Sequence, residues 1–266
     1  MSTSAIIEKW YRALRFPKEY DDAFYCALRS IEIDPSVAIS DYDIKELDGK
    51  KNLLSFLYMC EQLEREYEEK GIAREILLDT LGDLVRWTQT WSDLVGDMCL
   101  RQLTWVSIPM KMQIFKLGRL QFCMQKTDHD VPQYGICKGD DIIGIHIPAG
   151  EPLTKESCEK SIEMAREFFA RYFPEYQYKY FTCHSWLLDT SLSDLFSKGS
   201  NILAFQSLFD IVGADRSDAI IRYVFRWEAT REDLPQLKAT SSFAKLLKEH
   251  LMDGREFYEG LGIIPR

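Results

Sequence analysis

The sequence predicts an α+β protein: an α-helical N-terminal domain, residues 1–117, followed by a mixed-sheet α/β domain, residues 118–266. Three observations predict it. Through the first third of the 266-residue chain, apolar residues recur at three- and four-residue spacing, the mark of amphipathic helices. From about residue 119 the pattern shifts to alternating and continuous apolar runs bounded by Gly and Pro. Strand-like and helical segments then succeed one another, which requires at least one β–α–β crossover and so a parallel strand pair.

In the first part, Ile6, Ile7, Trp10, Tyr11 and Leu14 form one stripe, interrupted at Pro17. A second runs through Phe24, Ala27, Leu28 and Ile31 and stops at Asp34-Pro35. Past a polar stretch over residues 41–51, Leu53, Leu54, Leu57 and Cys60 begin a third helix, which ends in a charged run and the C-cap candidate Gly71. Ile76, Leu77, Leu81, Leu84, Val85, Thr88 and Trp91 make a fourth. These stripes read as core. Residues 103–117 predict a further helix, kinked or begun at Pro109 and ended by Gly118.

In the second part, residues 119–125 alternate like a strand. Residues 134–137 and 141–148 flank the turn Lys138-Gly139-Asp140 and predict a hairpin. Thr154 caps a helix with Cys158, Ile162, Ala165, Phe169 and Tyr172 on one face, stopped by Pro174. An aromatic strand over 178–188, a helix over 200–212, a strand over 219–227, a helix over 242–251 and a closing strand over 257–264 complete the order.

With 33 basic against 42 acidic residues the formal charge is −9, and no Lys/Arg stripe offers a seat for a nucleic-acid backbone. The seven cysteines are scattered and form no CxxC pair, which predicts reduced thiols rather than a disulfide or zinc framework. Residues 1–5 lead into an amphipathic run with no signal-peptide apolar core. No uncharged apolar stretch reaches the roughly 18 residues of a membrane span. The expectation is a cytoplasmic protein with neither nucleic acid, membrane nor metal as partner.

Ligands of open α/β sheets collect at the carboxyl ends of parallel strands, where helix N-termini also point. Two of the four histidines fall there. In Ile143-Gly144-Ile145-His146-Ile147-Pro148, Gly144 and His146 share one strand face; in Thr182-Cys183-His184-Ser185-Trp186, His184 shares a face with Thr182 and Trp186. If the two strands are parallel neighbours, His146 and His184 lie on one side of the sheet, where either can act as a general base. The alternative reading makes each a strand histidine bonded inside the domain. Cys183 cannot form a dyad with adjacent His184; a pair with His146 and a buried structural thiol both stay open. The loop Pro148-Ala149-Gly150-Glu151-Pro152-Leu153 opens the Thr154 helix, whose amides, with Lys155, can hold a phosphate.

Leu117-Gly118-Arg119-Leu120-Gln121-Phe122, His146-Ile147-Pro148 with Pro152-Leu153-Thr154, Cys183-His184-Ser185-Trp186-Leu187-Leu188-Asp189, and Ser200-Asn201-Ile202 through Phe205-Gln206 together resemble a bacterial acyltransferase family with a helical N-terminal domain and a GNAT-like C-terminal domain. The resemblance spans nearly the whole chain. It implies an N-acyltransferase moving an acyl group from an acyl-CoA-type thioester to an amine, with acyl-CoA as co-substrate and no tightly bound cofactor. It places the pantetheine arm along the 141–148 strand, and the diphosphate near Ile147, Pro148, Ala149, Gly150, Thr154 and Lys155. His184 and His146 then face the acyl group or the amine, Tyr258 is a general-acid candidate, and Trp186, Asp189 and Asn201 fall to the substrate. The family's Arg/Gln-x-x-Gly-x-Gly/Ala loop is not matched by Pro148-Ala149-Gly150-Glu151-Pro152-Leu153-Thr154, so a noncatalytic ligand-binding module on the same scaffold is the alternative.

Overall fold

Ser2 starts the chain's first helix by accepting a hydrogen bond from the amide of Ala5 at 3.3 Å. The computed structural model describes residues 1–34 and 48–265 and divides into two units, Met1–Lys116 and Leu117–Arg266. Pro35 and residues 41–47, part of the expected helix stop and polar stretch, lie outside the described residues.

The first unit is helical: α1 (Thr3–Ala13), α2 (Asp21–Ser30), α3 (Gly49–Lys70), α4 (Arg74–Val95) and α5 (Leu103–Met110). Asp48 caps α3 through the amides of Lys50 and Lys51, and Gly71 and Gly96 end α3 and α4 in the left-handed conformation. The expected stripes are the core: Ile7, Trp10 and Tyr11 of α1, Phe24 of α2, Leu53, Leu54, Leu57 and Cys60 of α3, and Leu77, Leu81 and Leu84 of α4 are all buried. The helix expected over 103–117 is corrected. It ends at Met110, Met112 takes a φ of 51°, and residues Ile114–Leu117 are strand β1. Pro109 sits in the last turn of α5 rather than at a kink.

A polar clamp joins α1 to α3. The Lys9 ammonium donates to Glu61 and Glu64, both at 2.7 Å; the Trp10 indole N–H donates to Glu61 at 3.1 Å, and Arg74 donates to Glu64 at 2.7 Å. The Lys9 bond holds Glu61 below its ordinary carboxyl value against opposing burial. Burial also opposes charge on Glu64 and Lys9. Bonds from Lys9 and Arg74 nevertheless keep Glu64 low, and bonds to both glutamates raise Lys9. Lowered carboxylates stabilise the fold above their unfolded values and lose that contribution as pH falls through the folded ones; raised Lys9 contributes below its unfolded value and loses it only as pH rises through the folded one. Lys9→Met is therefore expected to lose about 2 kcal/mol at neutral pH. Its thermal unfolding should decline less between about pH 5 and pH 3 than the parent's. An acid decline identical to the parent's would show that Lys9 does not hold these carboxylates.

The second unit is built on a mixed sheet whose own strands run in the order β2-β3-β4-β6-β5, with β2 (Leu120–Lys126), β3 (Asp141–His146), β4 (Tyr180–Ser185), β5 (Asp210–Arg216) and β6 (Tyr258–Pro265). The crossover between parallel β3 and β4 is α6 (Lys155–Tyr172), capped by Thr154 as expected. Short α7 (Asn201–Gln206) and α8 (Ala219–Val224) and longer α9 (Ser242–Met252) follow.

Three expectations are corrected here. Strand β3 pairs antiparallel with β2, from Gln121↔His146 to Lys126↔Asp141, so the hairpin joins β2 to β3; residues 132–134 are a 3-10 turn and Ile136 only bridges Val131. The helix begun at Ser200 stops at Gln206, and after a turn over residues 207–209 strand β5 begins at Asp210. Edge strand β5 carries Asp210, Asp215 and Arg216, and its residues are exposed or half-buried, so it lacks the apolar run that marks a covered strand. Residues 219–224, expected as strand, are α8, with Ile220 and Ile221 buried among Leu234, Leu247 and Leu251. A short apolar run fits a buried helix turn and a strand equally well.

Candidate active site

The parallel ladder comprises Ile143↔Phe181 and Gly144↔Thr182, and both strands run past it, β3 to His146 and β4 to Ser185. In this register Gly144, His146, Thr182 and His184 share one face. The strands are thus parallel neighbours, and the two histidines lie on one side of the sheet at the strands' carboxyl ends. His146 is half-buried, His184 exposed.

Loop residues 127–140, between β2 and β3, bring a third histidine. The His129 ring lies 5.0 Å from that of His184, centroid to centroid, tilted by 59°. The His129 amide donates to the hydroxyl of buried Thr127 at 3.1 Å. On the other side His184 Nε2 lies 3.6 Å from Asp215 Oδ2. Neither neighbour was legible in the sequence, because each comes from a segment without periodicity.

Cys183 pairs with Gly262, so it faces away from Thr182 and His184. It is 1% exposed, and burial pushes its thiol up. A protonated thiol on the far face is no nucleophile for either histidine.

The loop entering α6 is held from below. Arg119, 7% exposed, donates from Nη1 to Pro148 O at 2.8 Å and from Nε to Pro152 O at 3.2 Å. One guanidinium thus spans both ends of the segment carrying Pro148, Ala149 and Gly150. Ala149 and Gly150 are exposed, Ile147, Thr154 and Lys155 half-buried and Pro148 buried. Removing Arg119 strands two carbonyls beneath the loop, so Arg119→Ala is expected to cost about 3 kcal/mol in chemical denaturation. Arg119→Lys should recover only part, since an ammonium lacks the planar fork.

The remaining expected site residues have partners other than the histidines. Tyr258 pairs with Arg216 on the face of β6 opposite Glu259 and Leu261, and its hydroxyl donates to Glu256 at 3.4 Å. The structure therefore does not bring Tyr258 together with His184. Asp189 is 2% exposed; its carboxylate accepts from the amides of Ser191 and Tyr258, each at 2.9 Å. Trp186 packs against Phe243, with ring centroids 6.5 Å apart, and exposed Asn201 opens α7 behind the Ser200 cap.

A helical unit ahead of a mixed sheet, with a β3–α6–β4 crossover whose strands extend past their ladder, defines a GNAT-type acyltransferase architecture. Residues 114–264 match the GNAT-like C-terminal domain family, and residues 8–112 match the N-acyltransferase N-terminal domain. The chain belongs to the GNAT-like family, as the sequence motifs led us to expect. The fold is shared with solved acyltransferases. One, in complex with decanoyl-CoA and teicoplanin, is 21% identical with a TM-score of 0.76 over 97% of this chain and 87% of that one. Another, with CoA and 10C-teicoplanin, is 21% identical with a TM-score of 0.78 over the same shares. A third, with decanoyl-CoA, is 23% identical with a TM-score of 0.70 over 97% of this chain and 76% of that one. No curated relative matches the chain. No described helix is long and apolar enough to cross a membrane.

Proposed function

We propose that the protein transfers an acyl group from an acyl-CoA thioester to an amine on a small-molecule acceptor, with residues 118–266 as the catalytic domain. The observation that carries this reading is the pair of strands extending past Ile143↔Phe181 and Gly144↔Thr182 with His146 and His184 on one face. In this reading the pantetheine arm lies along β3 as an added strand would. The diphosphate rests on the loop through Ile147, Pro148, Ala149 and Gly150, beside Thr154, Lys155 and the α6 N-terminus.

The amine nitrogen forms a C–N bond to the acyl carbon while the C–S bond breaks. His184 takes the proton lost by the nitrogen, CoA leaves as a thiolate, and the proton passes from His184 to that thiolate through solvent, which returns the imidazole to its neutral form. His146 lies on the thioester side of the same face. Trp186 and Asn201 border the acceptor, and Asp189 keeps the start of β6 in place through the Tyr258 amide. Tyr258 is assigned no step. Exposed Cys26 and Cys137 suit a reducing compartment, and we place the reaction in the cytoplasm, where acyl-CoA is available.

Thermal unfolding with acetyl-CoA, decanoyl-CoA and free CoA tests the reading. A ligand at 100 times its dissociation constant adds about 2.7 kcal/mol, so a CoA site is expected to give a clear upward shift. No shift with any of the three would favour the noncatalytic binding module on a GNAT scaffold.

A further inference from the structure

The geometry points to Asp215 as the positioning residue of His184: it holds the imidazole as the Nε2–H tautomer and leaves Nδ1 as the nitrogen that receives the acceptor's proton. This deepens the proposed acyl transfer and rests on His184 being its base.

The first observation is chemical. Asp215 Oδ2 faces Nε2 at 3.6 Å, an ion-pair distance just outside direct hydrogen-bond reach, and a carboxylate only accepts, so it favours a hydrogen on the nitrogen it faces. The opposite nitrogen then keeps its lone pair.

The second observation is topological. Along β5 the register runs Asp210↔Ile263 and Ile211↔Gly262, then resumes at Gly213↔Leu261, Ala214↔Gly260 and Asp215↔Glu259. Val212 is the extra residue of a β-bulge, which flips every later side chain to the other face. In an unbroken ladder Asp215 would point away from His184. With the bulge it shares the face of Glu259 and Leu261, and Leu261 is paired with His184 on β4. Gly213, opposite Leu261, adds no side chain between the acid and the imidazole.

The charged surroundings leave Asp215 to this partner. Arg216 pairs with Glu256 at 3.0 Å, and Glu259, directly across from Asp215, accepts from the Ser217 hydroxyl at 2.7 Å. Two carboxylates opposite each other on neighbouring strands repel, and a hydrogen on Nε2, which lies 3.6 Å from Asp215 Oδ2, would offset that repulsion. From the β2–β3 loop, His129 packs on the His184 ring and limits how far it turns.

The tautomer measurement needs no acceptor. With four histidines in the chain, long-range proton–nitrogen correlation of the full-length protein labelled with nitrogen-15 at histidine resolves each ring's tautomer, and the His184→Gln spectrum assigns His184. In alkaline buffer, where the rings are neutral, His184 is expected to be the Nε2–H form. Asp215→Ala should raise its Nδ1–H share about two- to fivefold, as befits an exposed pair, and Asp215→Glu should restore the parent value. An Nδ1–H ring in the parent, or a population untouched by Asp215→Ala, overturns the inference. Loss of turnover in His184→Ala beside an unresponsive tautomer would sink only the role of Asp215. Full turnover in His184→Ala would instead sink the acyl-transfer reading of His184.

Discussion

Replacing His184 by alanine is expected to lower the turnover of decanoyl-CoA with an amine acceptor by about 10²- to 10⁴-fold, the range contributed by a positioned general base. The loss should fall on kcat, because the proton moves only in the transition state, while KM for decanoyl-CoA stays near the parent value. His184 is exposed and outside the buried core, so its removal should leave the melting temperature unchanged. His146 supplies the comparison. It ends β3 beside the expected pantetheine path, so His146→Ala should raise KM for decanoyl-CoA more than it lowers kcat. His250, in the last turn of α9, is the control and should match the parent in both constants. If His184→Ala turns over at the parent rate while His146→Ala loses kcat, the two histidines exchange roles. Parent-like turnover in both would remove histidine from the chemistry.

How far the sequence reached depended on what each segment packs against. The helical stripes of the first unit were legible because Leu53, Leu57 and Cys60, like Leu77, Leu81 and Leu84, recur at helical spacing and are buried, although α3 is buried all round over residues 52–57. The crossover was legible because Thr154 caps α6 and the strands on either side carry apolar runs. Strand β5 was hidden since an edge strand with exposed or half-buried residues has no apolar alternation to display. Ile220 and Ile221 misled because β-branched residues favour strands in general, and burial in a helical cluster overrode that preference.

The candidate site divides in the same way. His146 and His184 could be paired from strand parity alone, since a side-chain period of two fixes which residues share a face. His129 and Asp215 could not. One arrives on a loop of 3-10 turn and bridge, the other through a bulge at Val212 that no local pattern announces. Arg119 lay inside a motif that signalled the family, yet its bonds to Pro148 and Pro152 span about thirty residues of chain.

Gly260→Ala is expected to be the most damaging single methyl in the second unit. A Cβ at Gly260 would lie 2.3 Å from Leu188 O and 2.8 Å from Leu188 Cβ, closer than any van der Waals contact permits. The neighbour is main chain, in the 3-10 turn Trp186–Leu188 that continues directly from β4, and no rotamer change can relieve it. Gly262, one pleat along, meets Leu188 Cδ1 at 2.7 Å and Phe209 at 2.8 Å, so the segment is seated on β6 at two consecutive places. Overpacking typically costs about 1–3 kcal/mol, and a clash with backbone should sit at or above the upper end. Equilibrium denaturation of Gly260→Ala is therefore expected to show a loss of about 3 kcal/mol. Gly199→Ala, with nothing within 4 Å of its Cβ, should lie close to the parent. The strain has a functional direction as well. Residues 186–188 can escape only by lifting from β6, and that motion pulls on Ser185 and His184 at the end of β4. Protein that survives folding should thus show lowered kcat at temperatures where it is fully native. Parent-like stability in Gly260→Ala would mean that Leu188 does not cross β6 at this distance, and the link from that crossing to His184 would go with it.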